Sequence, residues 1–317
     1  MTSQPDPDDS ADQRGRSNPL ENVLGDVEAQ YHEWEAQVRE ANERIDKAAG
    51  RPLWAAIAVG LGLGGIFLAT LLISPLLFGL FVGLLMVLAI VELVGAMRQH
   101  QARLSRVALS ILSLGVLGGA YFFGGDGLFT GLFASIVLIA LGRLLLAVSS
   151  TAREHITRDM QWGWFVMFYL PFLGSAAVAL RQSDQGQWWI LAAIITVVSV
   201  DTSAYAVGRA LGKHKLAPAI SPGKTWEGLA GAVVAGLIAG IATGVWLLDI
   251  GPVWGAVVGL AFVASATAGD LVESLIKREL GVKDMSTLLP GHGGVLDRID
   301  SAVPSIALAY LLYQFLG

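Results

Sequence analysis

The stretch HGGVLDRID, residues 292–300, gathers His292, Asp297, Arg298 and Asp300 just ahead of the last apolar run of the chain. Asp297 and Asp300 stand three apart, so a helix beginning there turns both to one side. Two carboxylates aimed at one point repel each other unless a cation lies between them. Hard oxygen ligands of this kind suit magnesium, which keeps waters and phosphate oxygens as its remaining ligands. Arg298 adds a charge that phosphate can use, and Gly293 and Gly294 let backbone come close to a ligand. His292 can donate to phosphate, act as a general base or hydrogen-bond within its loop; its type leaves all three open. Pro304 suits an early helical turn, and the free N–H groups of such a helix end attract phosphate.

Other stretches carry charge into apolar surroundings. In SATAGDLVESLIKREL, Asp270, Glu273, Ser274 and Lys277 fall on one helical stripe, with the anion deep and Lys277 and Arg278 further out. That stripe fits a metal on Asp270 and a phosphate on Lys277 and Arg278. An intrahelical ion-pair ladder is the plain alternative, and it does not need Asp270 so deep. In SVDTSAYAVGR, Asp201, Tyr205 and Arg209 share a face, and a carboxylate inside a span is functional by default. The loop GKHKLAPAISPGKTWEG offers Lys213, Lys215, Ser221, Lys224 and Thr225 to a polyphosphate. GKT at 223–225 is not a P-loop: Pro218 stands where a glycine is required, and no strand is expected before it. Glu92 and Arg143 lie within a turn or two of expected helix ends. They read as pairing with each other or reaching for the cytosolic edge.

The elements that must position these groups are membrane helices. Of 317 residues, 54% are hydrophobic and 15% charged, where a soluble protein carries roughly 25% charged. Apolar runs near 53–73, 76–96, 107–123, 128–148, 162–180, 188–207, 228–248, 252–272 and 299–316 predict an all-α polytopic membrane protein with about nine transmembrane helices. Gly60/Gly64, Gly236/Gly240 and Gly255/Gly259 have the spacing for close helix packing in lipid. GLGLGG at 60–65 fits a dinucleotide pattern but lies inside an apolar run, which excludes that reading. Arg98, Arg103, Arg106, Arg153, Arg158, Arg209, Lys213, Lys215, Lys224, Lys277, Arg278, Lys283 and Arg298 fall in one set of loops. The alternate set holds only Arg181. This puts the N-terminus in the cytosol and the C-terminus outside, with the long loops 208–227 and 273–298 on one cytosolic face. Residues 1–19 read as a disordered acidic tail rather than a signal peptide. Leu20, Leu24, Val27, Tyr31, Trp34, Val38, Ala41 and Ile45 make a heptad seam. The segment 20–50 is therefore a cytosolic helix that suits a second copy in a homodimer, or the membrane surface. Residues 51–187 form the N-terminal helices, and 188–317 the catalytic region. A net charge of −5 leaves no basic footprint for nucleic acid, and the absence of cysteine excludes thiolate metal sites.

The motif SLIKRELGVKDMSTLLPGHGGVLDRID, residues 274–300, resembles that of the phosphatidate cytidylyltransferases, the CDP-diacylglycerol synthases. Its pattern is filled by Ser274, Lys277, Arg278, Lys283, Asp284, Ser286, Pro290, His292, Gly293, Gly294, Asp297, Arg298 and Asp300. DTSAYAVGRALGKHKLAPAISPGKTWEG, residues 201–228, is similar to the family's second stretch, with Gly223 where a lysine is often seen. The resemblance implies magnesium-dependent transfer of CMP from CTP to phosphatidate, giving CDP-diacylglycerol and pyrophosphate. It implies a multi-pass enzyme of the cytoplasmic membrane, open to the cytosol, with CTP, phosphatidate and the bilayer as partners. Asp270, Asp297 and Asp300 would then hold the metal, Asp201 and Asp284 being second choices, and the number of cations stays open. Lys224, Lys277, Arg278 and Arg298 would bind phosphates, with Lys213 beside them, and Ser221, Ser274 and His292 would add hydrogen bonds. Two rivals remain: a transporter using Asp201 and Asp270 for a coupling ion, and a lipid kinase. The Asp-Gly-x-x-Ala-Arg motif of CDP-alcohol phosphotransferases is absent.

Overall fold

The computed structural model describes residues 53–98, 104–148, 156–282, 285–286 and 293–317. The tail 1–19, the heptad segment 20–50, Lys283, Asp284 and His292 lie outside them. By its contacts the chain divides into Met1–Ile57 and a compact unit, Ala58–Gly317.

In lipid every backbone N–H and C=O must be satisfied within the segment, so apolar runs become helices. They are α1 (Leu53–Ile73), α2 (Pro75–Arg98), α3 (Arg106–Val148), α4 (Ile156–Met167), a π-helical turn (Phe168–Phe172) leading into α5 (Leu173–Gln182), and α6 (Gly186–Leu211). After a hairpin come α7 (Trp226–Trp246), α8 (Gly251–Glu279), the short α9 (Leu296–Ile299) and α10 (Ala302–Leu316). Six helices are long and apolar enough to cross a membrane: Pro75–Arg98, Arg106–Leu145, Ile156–Gln182, Gly186–Leu211, Trp226–Trp246 and Gly251–Glu279. Gly60–Ile73 and Ala302–Leu316 are shorter apolar helices. Large apolar side chains such as Leu80, Phe122, Phe133 and Val253 stand on the surface, which suits acyl chains as surroundings and not water. The chain is thus a polytopic, helical membrane protein.

α3 is helical on both sides of Gly124, whose φ of 59° and ψ of −133° turn the chain back. A methyl group on Gly131 would sit 3.0 Å from Val116 Cα. Along a straight helix those positions would be about 22 Å apart, so the two arms pack as a hairpin. Close packing recurs between α7 and α8, where a methyl on Gly240 would meet Gly259 Cα at 2.5 Å. The Gly236/Gly240 and Gly255/Gly259 spacings therefore serve helix contact, whereas Gly64 faces open space. Arg181 donates to the Leu71 carbonyl at 2.7 Å, satisfying a C-terminal carbonyl of α1.

Two expectations need correction. The loop 208–227 is not irregular: Lys215–Ala217 (β1) and Ser221–Thr225 (β2) pair antiparallel. GKT therefore lies on the second strand of a hairpin and not in a loop between a strand and a helix, so geometry as well as the missing glycine sets this stretch apart from a P-loop. The helical stripe from Asp270 to Lys277 is as read: α8 runs on to Glu279, where Lys277 and Arg278 complement its C-terminal dipole. Glu92 and Arg143 do not pair: Arg143 meets Asp159 at 3.5 Å, and Glu92 takes other partners.

Candidate active site

The C-terminal parts of α6 and α8, the N-terminal end of α7, hairpin β1–β2 and the α9–α10 junction line a cavity of about 500 Å³. A small apolar cluster of Val197, Val200, Ala232, Val263 and Ala266 holds α6, α7 and α8 together beneath it. Asp201, Arg209, Ser221, Lys224, Asp270, Asp297, Arg298 and Asp300 all line the cavity, so four stretches distant in sequence meet there.

Lys224 reaches from β2 to Asp270 on α8, its Nζ donating to Oδ2 at 2.6 Å. Ser274, one turn further along α8, donates to the other Asp270 oxygen at 3.2 Å. The hairpin is aimed by contacts at both ends. Thr225 caps α7 by accepting the Gly228 N–H at 3.1 Å. Glu227 accepts the backbone N–H groups of Lys213 and His214 and lies 2.6 Å from the His214 ring. Arg278 donates to the Ile220 carbonyl at 3.1 Å, tying the hairpin to α8. Arg209 donates to the Tyr205 hydroxyl at 2.9 Å, one turn back on α6.

The segment from 293 is organised by carboxylates. Asp297 accepts the Gly294 N–H at 2.7 Å, the Met285 N–H at 3.3 Å and a Lys277 proton at 3.3 Å. Burial works to raise Asp297, but its hydrogen bonds and the Lys277 charge hold it below the ordinary carboxylate range. Lys277 also bridges to Glu273, which is buried, at 2.5 Å. Glu92, on α2, accepts Ser286 Oγ at 2.6 Å, the Val295 N–H at 2.9 Å and the Leu296 N–H at 3.0 Å. The two glycines serve these carboxylates. Gly293 has a φ of 79°, and a methyl on Gly294 would stand 2.7 Å from Glu92. Asp300 is different: one oxygen accepts only the adjacent Ser301 N–H, at 2.7 Å. Burial first, and the facing Asp270 and Asp201 carboxylates next, raise its pKa to about 6.

The structure therefore sorts the residues picked from sequence. Asp270, Asp297, Asp300, Asp201, Ser221, Lys224 and Arg298 come together at the cavity. Lys277, Ser274 and Arg278 are not among its lining residues and hold Asp297, Asp270 and the hairpin. Lys213 is exposed and does not line it. Asp297 spends its oxygens on Lys277 and backbone N–H groups, and among the described residues no three acidic or imidazole groups stand so that they could hold a metal ion. What remains is a surplus of negative charge: Asp201, Asp270 and Asp300 open on one space and repel one another. Carboxylate oxygens are the ligand type that a hard divalent cation takes, with water and phosphate completing its shell. Sequence reasoning missed the anchoring by Glu92 and Glu227. The signal for Glu92 was present, a carboxylate in an apolar run, but its partners lie some two hundred residues away.

Residues 54–316 match the sequence model of the cytidylyltransferase family. The phosphatidate cytidylyltransferase of Mycobacterium bovis is 35% identical over 276 residues, covering 84% of this chain and 90% of that protein. That of Mycobacterium leprae is 35% identical, covering 84% and 89% respectively. The Brucella abortus protein of the same name is 38% identical over 184 residues, 56% of this chain and 68% of its own.

Proposed function

The chain belongs to the cytidylyltransferase family, and from that premise we propose that it transfers CMP from CTP to phosphatidate, releasing pyrophosphate. A phosphate oxygen of phosphatidate attacks the α-phosphorus of CTP, the bond to the β-phosphate breaks, and CDP-diacylglycerol forms. The nucleophile is already an anion, so no protein nucleophile is required; the barrier is the meeting of two anions. The observation that carries this reading is the cavity where Lys224 and Arg298 face Asp201, Asp270 and Asp300. It offers cationic groups for phosphate oxygens and carboxylates for a cation in one space.

Asp270 and Asp300, with Asp201 across the cavity, would hold magnesium, which withdraws charge from phosphate oxygens when bound. Asp297 is kept near by Lys277 and shapes the loop rather than filling the first coordination position. Lys224, Arg298 and Arg209 take phosphate oxygens, and Ser221 adds a hydroxyl. Ser274 orients Asp270, and Arg278 fixes the hairpin. His292, by its place in the motif, donates a hydrogen bond to a phosphate oxygen. Phosphatidate keeps its acyl chains in the bilayer while CTP arrives from the cytosol. The charge asymmetry of the loops supports nine crossings, counting both arms of α3, with the N-terminus and the site cytosolic and the C-terminus outside. This is an arrangement for the cytoplasmic membrane. The heptad seam of 20–50 supports a second copy of the chain as a further partner.

The test is product analysis. Purified protein in detergent, given phosphatidate and CTP labelled at the α- or γ-phosphate, should move the α-label into lipid and release pyrophosphate. Transfer of the γ-label to lipid, with CDP as by-product, would show a kinase and overturn the reading.

A further inference from the structure

Glu92 is a carboxylate inside α2, 7% exposed, in a helix whose other charged residue is Arg98 at its C-terminal end. A charge there is expensive unless strongly partnered. Its partners are not on α2 or its neighbour in sequence; they are Ser286, Val295 and Leu296. All three are donors, and two are backbone N–H groups at the start of α9, with no partner inside that short helix. The two oxygens of the Glu92 carboxyl group accept all three. An amide would turn an NH₂ group toward a donor. Gly294 leaves the room: any side chain there would collide with Glu92. Immediately beyond the anchored residues come Asp297, Arg298 and Asp300, which line the cavity.

We infer that Glu92 is a positioning residue for the transfer reaction: it fixes the start of α9 to α2 and thereby sets where Asp300 and Arg298 stand. It touches neither substrate nor cation. It acts through the backbone, in the way that an outer ligand holds a metal-binding group in place. The inference rests on the proposed CMP transfer for its kinetic arm and on geometry alone for its structural arm.

The experiment compares the full-length wild type with Glu92→Gln, Glu92→Ala and Ser286→Ala in detergent. Asp159→Asn, which alters a buried ion pair away from the cavity, is the control. Amide exchange followed by mass spectrometry should show the 293–301 segment exchanging at least tenfold faster in Glu92→Gln, with the transmembrane helices unchanged. Lipid labelling from CTP should show kcat reduced at least tenfold and KM for CTP within about threefold. Glu92→Ala should go further in both measures and Ser286→Ala less far. Asp159→Asn should lower thermal stability and leave kcat intact. Unchanged exchange and kcat in Glu92→Gln would overturn the inference, as would faster exchange spread over the whole chain, the mark of a general stability role. A wild type that makes no CDP-diacylglycerol would defeat the functional reading instead, while the exchange measurement would still judge the anchor.

Discussion

Replacing Lys224 by methionine removes one charge and keeps the length of the side chain. Lys224 donates to Asp270 at 2.6 Å, and the two side chains are 22% and 33% exposed. A hydrogen bond between charged groups contributes about 1.5–3 kcal/mol, and the partial exposure reduces this to about 1 kcal/mol. Two effects follow with opposite signs. The ammonium group and a divalent cation compete for the same carboxylate, so its loss leaves Asp270 more available. The half-saturating magnesium concentration should fall about fivefold, the equivalent of about 1 kcal/mol. Turnover should drop, because a cationic group aimed at charge developing on phosphate is worth about 2.7–4 kcal/mol, or roughly 10²–10³ in kcat. The assay is CDP-diacylglycerol formation in detergent across a magnesium titration, with Lys224→Arg alongside. Arginine should keep part of kcat and restore the wild-type magnesium requirement. Turnover of Lys224→Met within threefold of wild type, or a raised magnesium requirement, would refute the placement of Lys224 between phosphate and Asp270.

Asp300→Asn should reduce kcat by about 10²-fold or more even at saturating magnesium, since a carboxylate that faces the cation contributes on the scale of a charge-stabilising group. Asp300 ionises near pH 6 in the absence of a cation, and magnesium needs the ionised form. Below that pH a proton competes, so apparent magnesium affinity measured by calorimetry should fall about tenfold per pH unit, and above pH 7 it should be flat. Gly240→Val places side-chain atoms where the α8 backbone passes and should cost about 1–3 kcal/mol of stability, read as a lower thermal midpoint. Gly64→Ala, with open space beside it, should be neutral or slightly stabilising.

Much of the site was visible before any coordinates. The acidic pair Asp297 and Asp300, the stripe Asp270–Ser274–Lys277 and the loop lysine Lys224 all stood out by type and spacing. Lys224, Asp270, Asp297 and Asp300 do line one cavity. Less visible was the division of labour among them. Asp297 looked like the twin of Asp300, yet it accepts from Lys277 and from the Gly294 and Met285 N–H groups, whereas Asp300 accepts the adjacent Ser301 N–H. Arg278 read as a phosphate-binding group, and its tie to the Ile220 carbonyl on the hairpin was not visible. Spacing along a helix says which side chains share a face, but not which neighbour reaches them from another element.

The amino-acid sequence determined that this chain lives in a bilayer, because apolar runs of spanning length have no other stable solution. It also determined which residues carry chemistry, because charge in such surroundings is too costly to be incidental. Only the tertiary structure decided which charge answers which. Lys224 meets Asp270 across 46 positions, and Glu92 meets Val295 across 203. Hydrogen bonds act over about 3 Å, so pairing at that range depends on how helices pack, and nothing in local spacing encodes it.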